Sequence, residues 1–142
     1  MIISVFLVVV SLFGWSTYQY YRAIHSDDPI IPYLSVASGS VTIGRGDIAI
    51  DMVSGDRYNL AEKDIIMTKS GAFAVVHWPD QSTTRLGSDS RMTINRMRVT
   101  DDYSAIEIEL SLETGKIWSN VIRTIYPGSF FRVKLPDNNI IA

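Results

Sequence analysis

Residues 1–21 of this 142-residue chain carry no charged side chain, and the first one is Arg22. An uncharged, apolar segment of about 20 residues rises ~30 Å as a helix, which matches the hydrocarbon thickness of a bilayer. Trp15, Tyr18 and Tyr21 precede Arg22, and such aromatic rings settle at the headgroup boundary. The sequence therefore predicts a single-pass transmembrane anchor over residues 1–22.

Two other interpretations of this segment stay open. A cleaved signal peptide needs small residues before its cleavage site, and Tyr18-Gln19-Tyr20 supplies none. A buried core helix fits less well, because the segment lacks the polar face that a helix at the surface of a small domain presents. We expect an anchor, and we place the rest of the chain outside the cytoplasm because a globular domain follows a hydrophobic segment near the start.

The remainder of the chain is predicted to form a linker over residues 23–33 and one domain over residues 34–142. Pro29 and Pro32 fix φ and bias the preceding residues toward extended geometry, so no helix continues through the linker. The roughly 110 residues that follow suffice for a single hydrophobic core.

Short apolar runs separated by turn signals predict an all-β fold for residues 34–142. Turn residues cluster at 38–40, 54–56, 69–71 and 78–82, and the runs between them have the length and alternation of strands. Only residues 59–64 are compatible with a helical turn. We expect an antiparallel β-sandwich or roll.

The alternation of apolar and polar residues is clearest in the two segments that flank residues 101–102. Apolar residues at the even positions from 106 to 112 alternate with polar ones, which predicts a strand with one buried face. In the strand before it, the apolar residues 92 and 94 stand at even positions, whereas the apolar residues 97 and 99 stand at odd positions. An unbroken strand would therefore expose half of these apolar side chains.

A β-bulge removes this conflict. We predict that Asn95 and Arg96 together lie opposite Glu107, that Arg96 lies near Glu107, and that the chain turns at Asp101-Asp102. The expected register places Met97 beside Ile106, Ile94 beside Ile108 and Met92 beside Leu110.

Two segments near the end also read as strands. Phe131, Val133 and Leu135 alternate with Arg132 and Lys134, which predicts one more amphipathic strand. The sequence stops at Asn139-Ile140-Ile141-Ala142, an apolar, strand-like ending without a stop signal, so we expect the domain to be cut within a strand.

Composition excludes several functional classes. The chain has 13 Lys+Arg against 15 Asp+Glu, a net charge of −2, whereas nucleic-acid-binding domains carry a basic surplus. The absence of cysteine excludes a disulfide scaffold, a cysteine nucleophile and a thiolate metal site. With only two histidines, no ligand cluster is visible. We predict no cofactor, no metal site and no nucleic-acid partner.

One catalytic arrangement remains as a remote alternative. His77, Asp80 and Ser82 supply the three residue types of a hydrolase triad, but their spacing guarantees neither mutual hydrogen bonds nor an oxyanion hole. We expect His77 to be an ordinary histidine at the end of a strand and the protein not to be an enzyme.

Several motifs follow one another in order along the predicted domain. They are Ser38-Gly39-Ser40-Val41-Thr42-Ile43, Leu60-Ala61-Glu62-Lys63-Asp64-Ile65-Ile66-Met67-Thr68, residues 71–87 with the turn Asp80-Gln81-Ser82, residues 88–94, Leu112-Glu113-Thr114-Gly115-Lys116-Ile117-Trp118-Ser119-Asn120-Val121, and Phe130-Phe131-Arg132-Val133-Lys134-Leu135-Pro136. In this order they resemble the FecR domain, the extracytoplasmic module of bacterial membrane-anchored regulators. Lys63 and Gln81 stand where that family usually has glycine.

The resemblance implies a non-catalytic sensor or binding module in the periplasm or outside the cell. Its partner would be another protein or a polymer of the cell envelope. Candidate contact residues are Trp78, Trp118, Arg132 and Lys134, although core packing is the expected role of both tryptophans. An alternative is an anti-sigma-type signal transducer; its cytoplasmic segment is absent here, because nothing precedes the predicted span.

Overall fold

The computed structural model describes residues 31–100, 105–122, 127–136 and 140–141. The predicted anchor and most of the predicted linker lie outside these residues. No helix in the described ranges is long and apolar enough to cross a membrane. All regular secondary structure in these ranges is β-strand, which confirms the all-β prediction.

The strands form two sheets. The five-stranded sheet has the order β10 (Ile117–Asn120), β7 (Thr83–Leu86), β6 (Phe73–His77), β1 (Tyr33–Ser38) and β4 (Arg57–Asn59). The seven-stranded sheet has the order β12 (Ile140–Ile141), β11 (Phe130–Lys134), β9 (Ile106–Thr114), β8 (Arg91–Val99), β5 (Ile65–Thr68), β2 (Ser40–Arg45) and β3 (Ile48–Val53).

The core lies between the two sheets. Alternate residues of each strand point inward, and the fully buried ones come from both sheets: Leu34, Val76 and Leu86 from the five-stranded sheet, and Val41, Ile43, Ile66, Met92, Ile94 and Leu110 from the seven-stranded sheet. Burying each such aliphatic side chain contributes about 1.5–3 kcal/mol. This apolar layer holds the two sheets face to face.

The β8–β9 hairpin contains the predicted bulge, but its register differs from the expected one. Pairing slips between Ile94 and Arg96, which lies opposite Glu109 rather than Glu107. The observed apolar pairs are Met92–Leu112, Ile94–Leu110, Met97–Ile108 and Val99–Ile106.

The difference is a shift of two residues, and its cause is physical. Such a shift leaves every side chain on its expected face, so alternation does not distinguish the two registers. The observed register adds Val99 opposite Ile106. The predicted contact of Arg96 with Glu107 is confirmed, with 3.4 Å between Nη1 and Oε2. The predicted turn at Asp101-Asp102 lies outside the described residues.

The expectation of purely antiparallel sheets is wrong for one strand. β11 pairs with β9 in parallel, with Phe131 opposite Ile108 and Val133 opposite Leu110. A parallel pair needs a crossover. Here β9 is followed by β10 in the five-stranded sheet before the chain returns as β11. The predicted alternation of β11 is confirmed at Val133, which is buried.

Residues 59–64 form no helix and contain instead a turn held by Asp64. The Asp64 side chain is fully buried, and its carboxylate accepts hydrogen bonds from Arg45 Nε at 2.7 Å, Arg45 Nη2 at 2.6 Å and the Ala61 N–H at 2.8 Å. Lys63 in this turn has φ 70°, and its N–H donates to the Ile94 carbonyl. The turn thereby fixes the end of β4 against β2 and β8.

The chain passes from one sheet to the other at Gly115. This residue has φ +87° and lies against Ser90, so that a Cβ on Gly115 would overlap the Ser90 side chain and backbone. Ser90 Oγ donates to the Lys116 carbonyl at 3.1 Å and accepts from the Lys116 N–H at 2.9 Å. The Ser90 contacts thus set where β10 begins.

Gly115→Ala should lower the free energy of unfolding by about 3 kcal/mol, because it adds steric overlap to the cost of a positive φ. Gly71→Ala is the matched control, since Gly71 has φ +73° but open space around its Cβ position. It should cost only about 1 kcal/mol. Denaturant unfolding of both variants measures the difference, and equal losses would contradict the role given to Ser90.

Candidate functional site

A cavity of about 1020 Å³ opens where β10 of the five-stranded sheet faces β9 and β11. Its lining is mostly apolar and includes Leu112, Ile117, Val121, Phe131 and Val133. Among the described residues of the lining, Arg85 and Lys116 are charged and none carries a carboxylate. The cavity therefore combines apolar surface with positive charge.

One edge of β10 borders this cavity. In the described part of the chain β10 pairs only with β7. The Gly87 N–H donates to the Lys116 carbonyl, and Ile117 lies opposite Leu86. Because hydrogen-bonded and non-hydrogen-bonded pairs alternate along an antiparallel ladder, the backbone groups of Ile117 and Ser119 point away from β7. The edge presents donors and acceptors suited to another extended chain.

Trp118 is 73% exposed on β10, so the core packing expected for it does not occur. It lies opposite Arg85 on the outward face of the sheet, whereas its neighbours Ile117 and Ser119 share the inward phase with Leu86 and Thr84. Beyond the end of β10, Val121 and Ile122 are 44% and 46% exposed. An apolar surface rich in exposed side chains therefore surrounds the free edge.

Trp78 has the opposite environment, because it is buried and therefore not accessible to a partner at the surface. Only 2% of it is exposed, its Nε1–H donates to Thr84 Oγ1 at 2.9 Å, and its ring meets Phe131 edge to face with centroids 6.2 Å apart. For Trp78, the expectation of core packing agrees with the structure.

Arg132 and Lys134 lie on the outward face of the seven-stranded sheet, and both contact Glu109. The distance to a Glu109 carboxylate oxygen is 3.4 Å from Arg132 Nη1 and 2.7 Å from Lys134 Nζ. The hydrogen bond from Lys134 is the main cause that lowers the pKa of Glu109. Both cations are accessible, and they share the single negative charge of Glu109.

The structure does not assemble His77, Asp80 and Ser82 into a triad. Ser82 is fully buried, and its Oγ donates to Asp80 Oδ2 at 2.7 Å. His77 Nε2 instead lies 3.2 Å from Ser35 Oγ. The separation follows from strand parity, because His77 and Thr83 are paired on the outward face while Ser82, one residue earlier, points inward.

His77 belongs to an aromatic stack on that outward face. Its ring lies parallel to the Tyr33 ring with centroids 4.5 Å apart, and the Arg57 guanidinium lies 5.4 Å from the Tyr33 centroid. Burial, and then the charge of Arg57, lower the pKa of His77 below its ordinary value of 6.5. The uncharged form of the imidazole is therefore favoured over the charged form.

The outward face of the five-stranded sheet is one surface that the sequence pattern alone does not reveal. Cross-strand pairing gathers on it a set of residues that are all at least partly exposed: Tyr33, Ser35, Arg57, Asn59, Phe73, Val75, His77, Thr83, Arg85, Trp118 and Asn120. Strand alternation marks these residues as outward, but only the strand order shows that they share one surface.

Neither metal-binding side chains nor comparisons with known proteins assign a function to these surfaces. No cluster of three His, Cys, Asp or Glu side chains within the described ranges is placed to hold a metal ion. No protein-family model, curated protein or solved structure matches the chain. The function is therefore inferred from the chain's own residues and geometry.

The lowered pKa of His77 predicts a pH dependence of stability. Between the folded-state pKa and about 6.5, the unfolded chain binds more protons at this position than the folded chain does. The free energy of unfolding should therefore fall as the pH is lowered from about 7.5 to about 5.5. Denaturant unfolding across this range should show a smaller slope for His77→Gln.

Glu109→Gln is the control for this experiment. The pKa of Glu109 is lowered from 4.5, so its stabilising effect is present above that pH and is lost at more acid values. This variant should leave the slope between about pH 5.5 and 7.5 unchanged. The same slope in the wild-type chain and in His77→Gln would contradict the role of His77.

Proposed function

We propose that the chain is a membrane-anchored binding or sensor module of FecR type. Residues 1–22 would anchor it, and its β domain would lie outside the cytoplasm and recognise a protein or a polymer of the cell envelope without catalysis. The charge-free start of the chain and the ordered motifs between residues 38 and 136 are the sequence grounds for this proposal.

Backbone geometry at two positions supports the resemblance. Lys63 and Gln81, which replace the family's usual glycines, have φ of 70° and 67°. Positive φ is the conformation for which glycine is the least strained residue. The aspartate that follows the first of these positions, Asp64, is the fully buried carboxylate that holds its turn. The motif residues thus have structural reasons to occur where they do.

The observation that carries a binding function is the open end of the sandwich at β10. An unpaired strand edge is a ready template for strand addition, and natural domains usually cover or charge such an edge. Here the edge borders a cavity of about 1020 Å³, and the strand bears a tryptophan that is 73% exposed. Exposed aromatic surface beside a cavity is typical of an interaction site.

We propose no catalysis because His77, Asp80 and Ser82, the residues that a hydrolase would use, are not arranged as a triad. His77 contacts Ser35 rather than Ser82, and Ser82 Oγ is buried with Asp80. A serine nucleophile needs its hydroxyl within hydrogen-bond reach of the base. This geometry favours recognition over hydrolysis.

A photo-crosslinking side chain at position 118 should capture the partner in the native envelope. Benzoylphenylalanine in place of Trp118 should give one or a few discrete adducts of higher mass after irradiation, because position 118 lies at the proposed contact surface. Electrophoresis and mass spectrometry of the tagged full chain measure these adducts.

Position 48 provides the matched control. Ile48 is 63% exposed on β3, at the other end of the seven-stranded sheet's strand order from β11 and β12. The same side chain there should give no discrete adduct. Equal labelling from both positions, or none from position 118, would contradict a binding function at β10.

The proposed topology predicts which reagents reach the β domain. The chain contains no cysteine, so Ser70→Cys places a single thiol in an exposed turn. A membrane-impermeant maleimide should label it in intact cells or, for a periplasmic domain, once the outer membrane is permeabilised. Labelling only after disruption of the inner membrane would place the domain in the cytoplasm and overturn the proposal.

A further inference from the structure

Among the described residues, the outward face of the five-stranded sheet contains no acidic side chain. Its two central rows run across all five strands, Asn59–Tyr33–His77–Thr83–Asn120 and Arg57–Ser35–Val75–Arg85–Trp118. We call these two rows the acid-free face. The nearby turn carboxylates are already engaged, because Asp56 accepts a hydrogen bond from the Val53 N–H and Asp80 accepts two from Ser82.

Both arginines of this face lack an anionic partner among the described residues. Arg57 lies over the Tyr33 ring, and neither it nor Arg85 forms an ion pair there. On the outward face of the seven-stranded sheet, by contrast, Arg91, Arg96, Arg132 and Lys134 all contact glutamates. The acid-free face therefore carries two arginines and no carboxylate, whereas on the other face Arg98 has no ion pair among the described residues but four other basic residues contact glutamates.

The acid-free face also offers flat rings between hydrogen-bonding groups. Tyr33 and His77 stack in one row, and Trp118 ends the other. Asn59, Thr83 and Asn120 complete the first row with two amides and a hydroxyl. Sugar rings present C–H faces that pack on aromatic rings and hydroxyl groups that bond to amides, and this face supplies both kinds of partner.

We propose that the acid-free face binds an extended anionic polysaccharide, with Arg57 and Arg85 pairing carboxylates and Trp118 stacking on a sugar ring. This inference rests on the proposed binding function and names the chemical class of its partner. A guanidinium meets a carboxylate through two parallel hydrogen bonds, so each arginine specifies an acidic sugar rather than a neutral one.

The spacing of the two arginines suits a polymer. They lie in the same row on β4 and β7, which are separated by three strand intervals, or about 14 Å. A small anion reaches one of them at a time, whereas a chain with repeated carboxylates engages both at once. Joining the two contacts in one ligand raises affinity through effective concentration.

Other anionic macromolecules fit this face less well. Tight binding of nucleic acid rests on about six to ten phosphate contacts, and this face supplies two arginines. The centre of a protein interface is usually apolar and depleted of charge, whereas here Arg57 and Arg85 stand in the same row as Val75, the single aliphatic residue of the two rows. A hydrogen-bonding surface with separated cations therefore favours an acidic glycan.

The test uses the full chain in neutral detergent and hexamers of galacturonic acid, measured by isothermal titration calorimetry at low salt. The acid hexamer should bind, and its methyl ester, which keeps the sugar rings and removes the charge, should bind at least about tenfold more weakly. Arg57→Gln and Arg85→Gln should each weaken binding of the acid by about tenfold or more, and Trp118→Ala by about tenfold.

Arg98→Gln is the matched control. Arg98 is exposed on β8, in the other sheet, and forms no ion pair within the described residues. Its replacement should leave the affinity within about twofold of the wild type. An equal loss in this variant would show that net charge, rather than the acid-free face, governs binding and would overturn the inference.

Three further results would overturn it: equal affinity for the ester, equal affinity for a glutamate hexamer of the same charge, or no binding of the acid hexamer. Failure here stays distinct from failure of the proposed function. If adducts form at position 118 in the envelope while the hexamer does not bind, a partner exists but is not this glycan. If the hexamer binds while no adduct forms, the binding function at β10 fails instead.

Discussion

The buried carboxylate of Asp64 is the polar interaction that ties strands of the two sheets together beside their apolar core. It receives the forked guanidinium of Arg45 from β2, and the same guanidinium donates to the Asn59 carbonyl at the end of β4, 2.9 Å away. The backbone of Asp64 accepts from the Ile94 N–H of β8. Hydrogen bonds to this carboxylate raise the pKa of Arg45. One ion pair therefore joins strands of both sheets, and its hydrogen bonds offset the cost of removing the fully buried Asp64 carboxylate from water.

Strand identity and facing could be predicted from the sequence, whereas strand pairing could not. Alternation identified the buried sides of β8 and β9 and required a bulge at Asn95, because an unbroken strand would have exposed Met97. The register could not be predicted, because a shift of two residues keeps every side chain on the same face of the sheet. The parallel entry of β11 beside β9 also escaped, since it depends on β10 joining the other sheet rather than on any local pattern.

The contrast between the two tryptophans shows the same limit at the candidate site. Trp78 continues the inward phase of β6 and is enclosed by Thr84 and Phe131, while Trp118 follows the inward Ile117 and is exposed. Parity separates the two once the strand limits are known. The acid-free face is a larger case, because its five strands come from sequence segments between residues 33 and 120, and only the strand order brings them together.

Charge segregation changes what the overall composition implies about partners. The chain totals 13 basic and 15 acidic residues, which suggests a surface that favours neither anionic nor cationic partners. On the seven-stranded sheet, however, four of the five outward basic residues, all but Arg98, contact Glu107, Glu109 or Glu113, while Arg57 and Arg85 meet no carboxylate within the described ranges. Coulombic attraction at about 4 Å far exceeds that across a domain in salt, so a ligand responds to the face it touches. A chain of slightly negative net charge thus presents one surface that attracts anions.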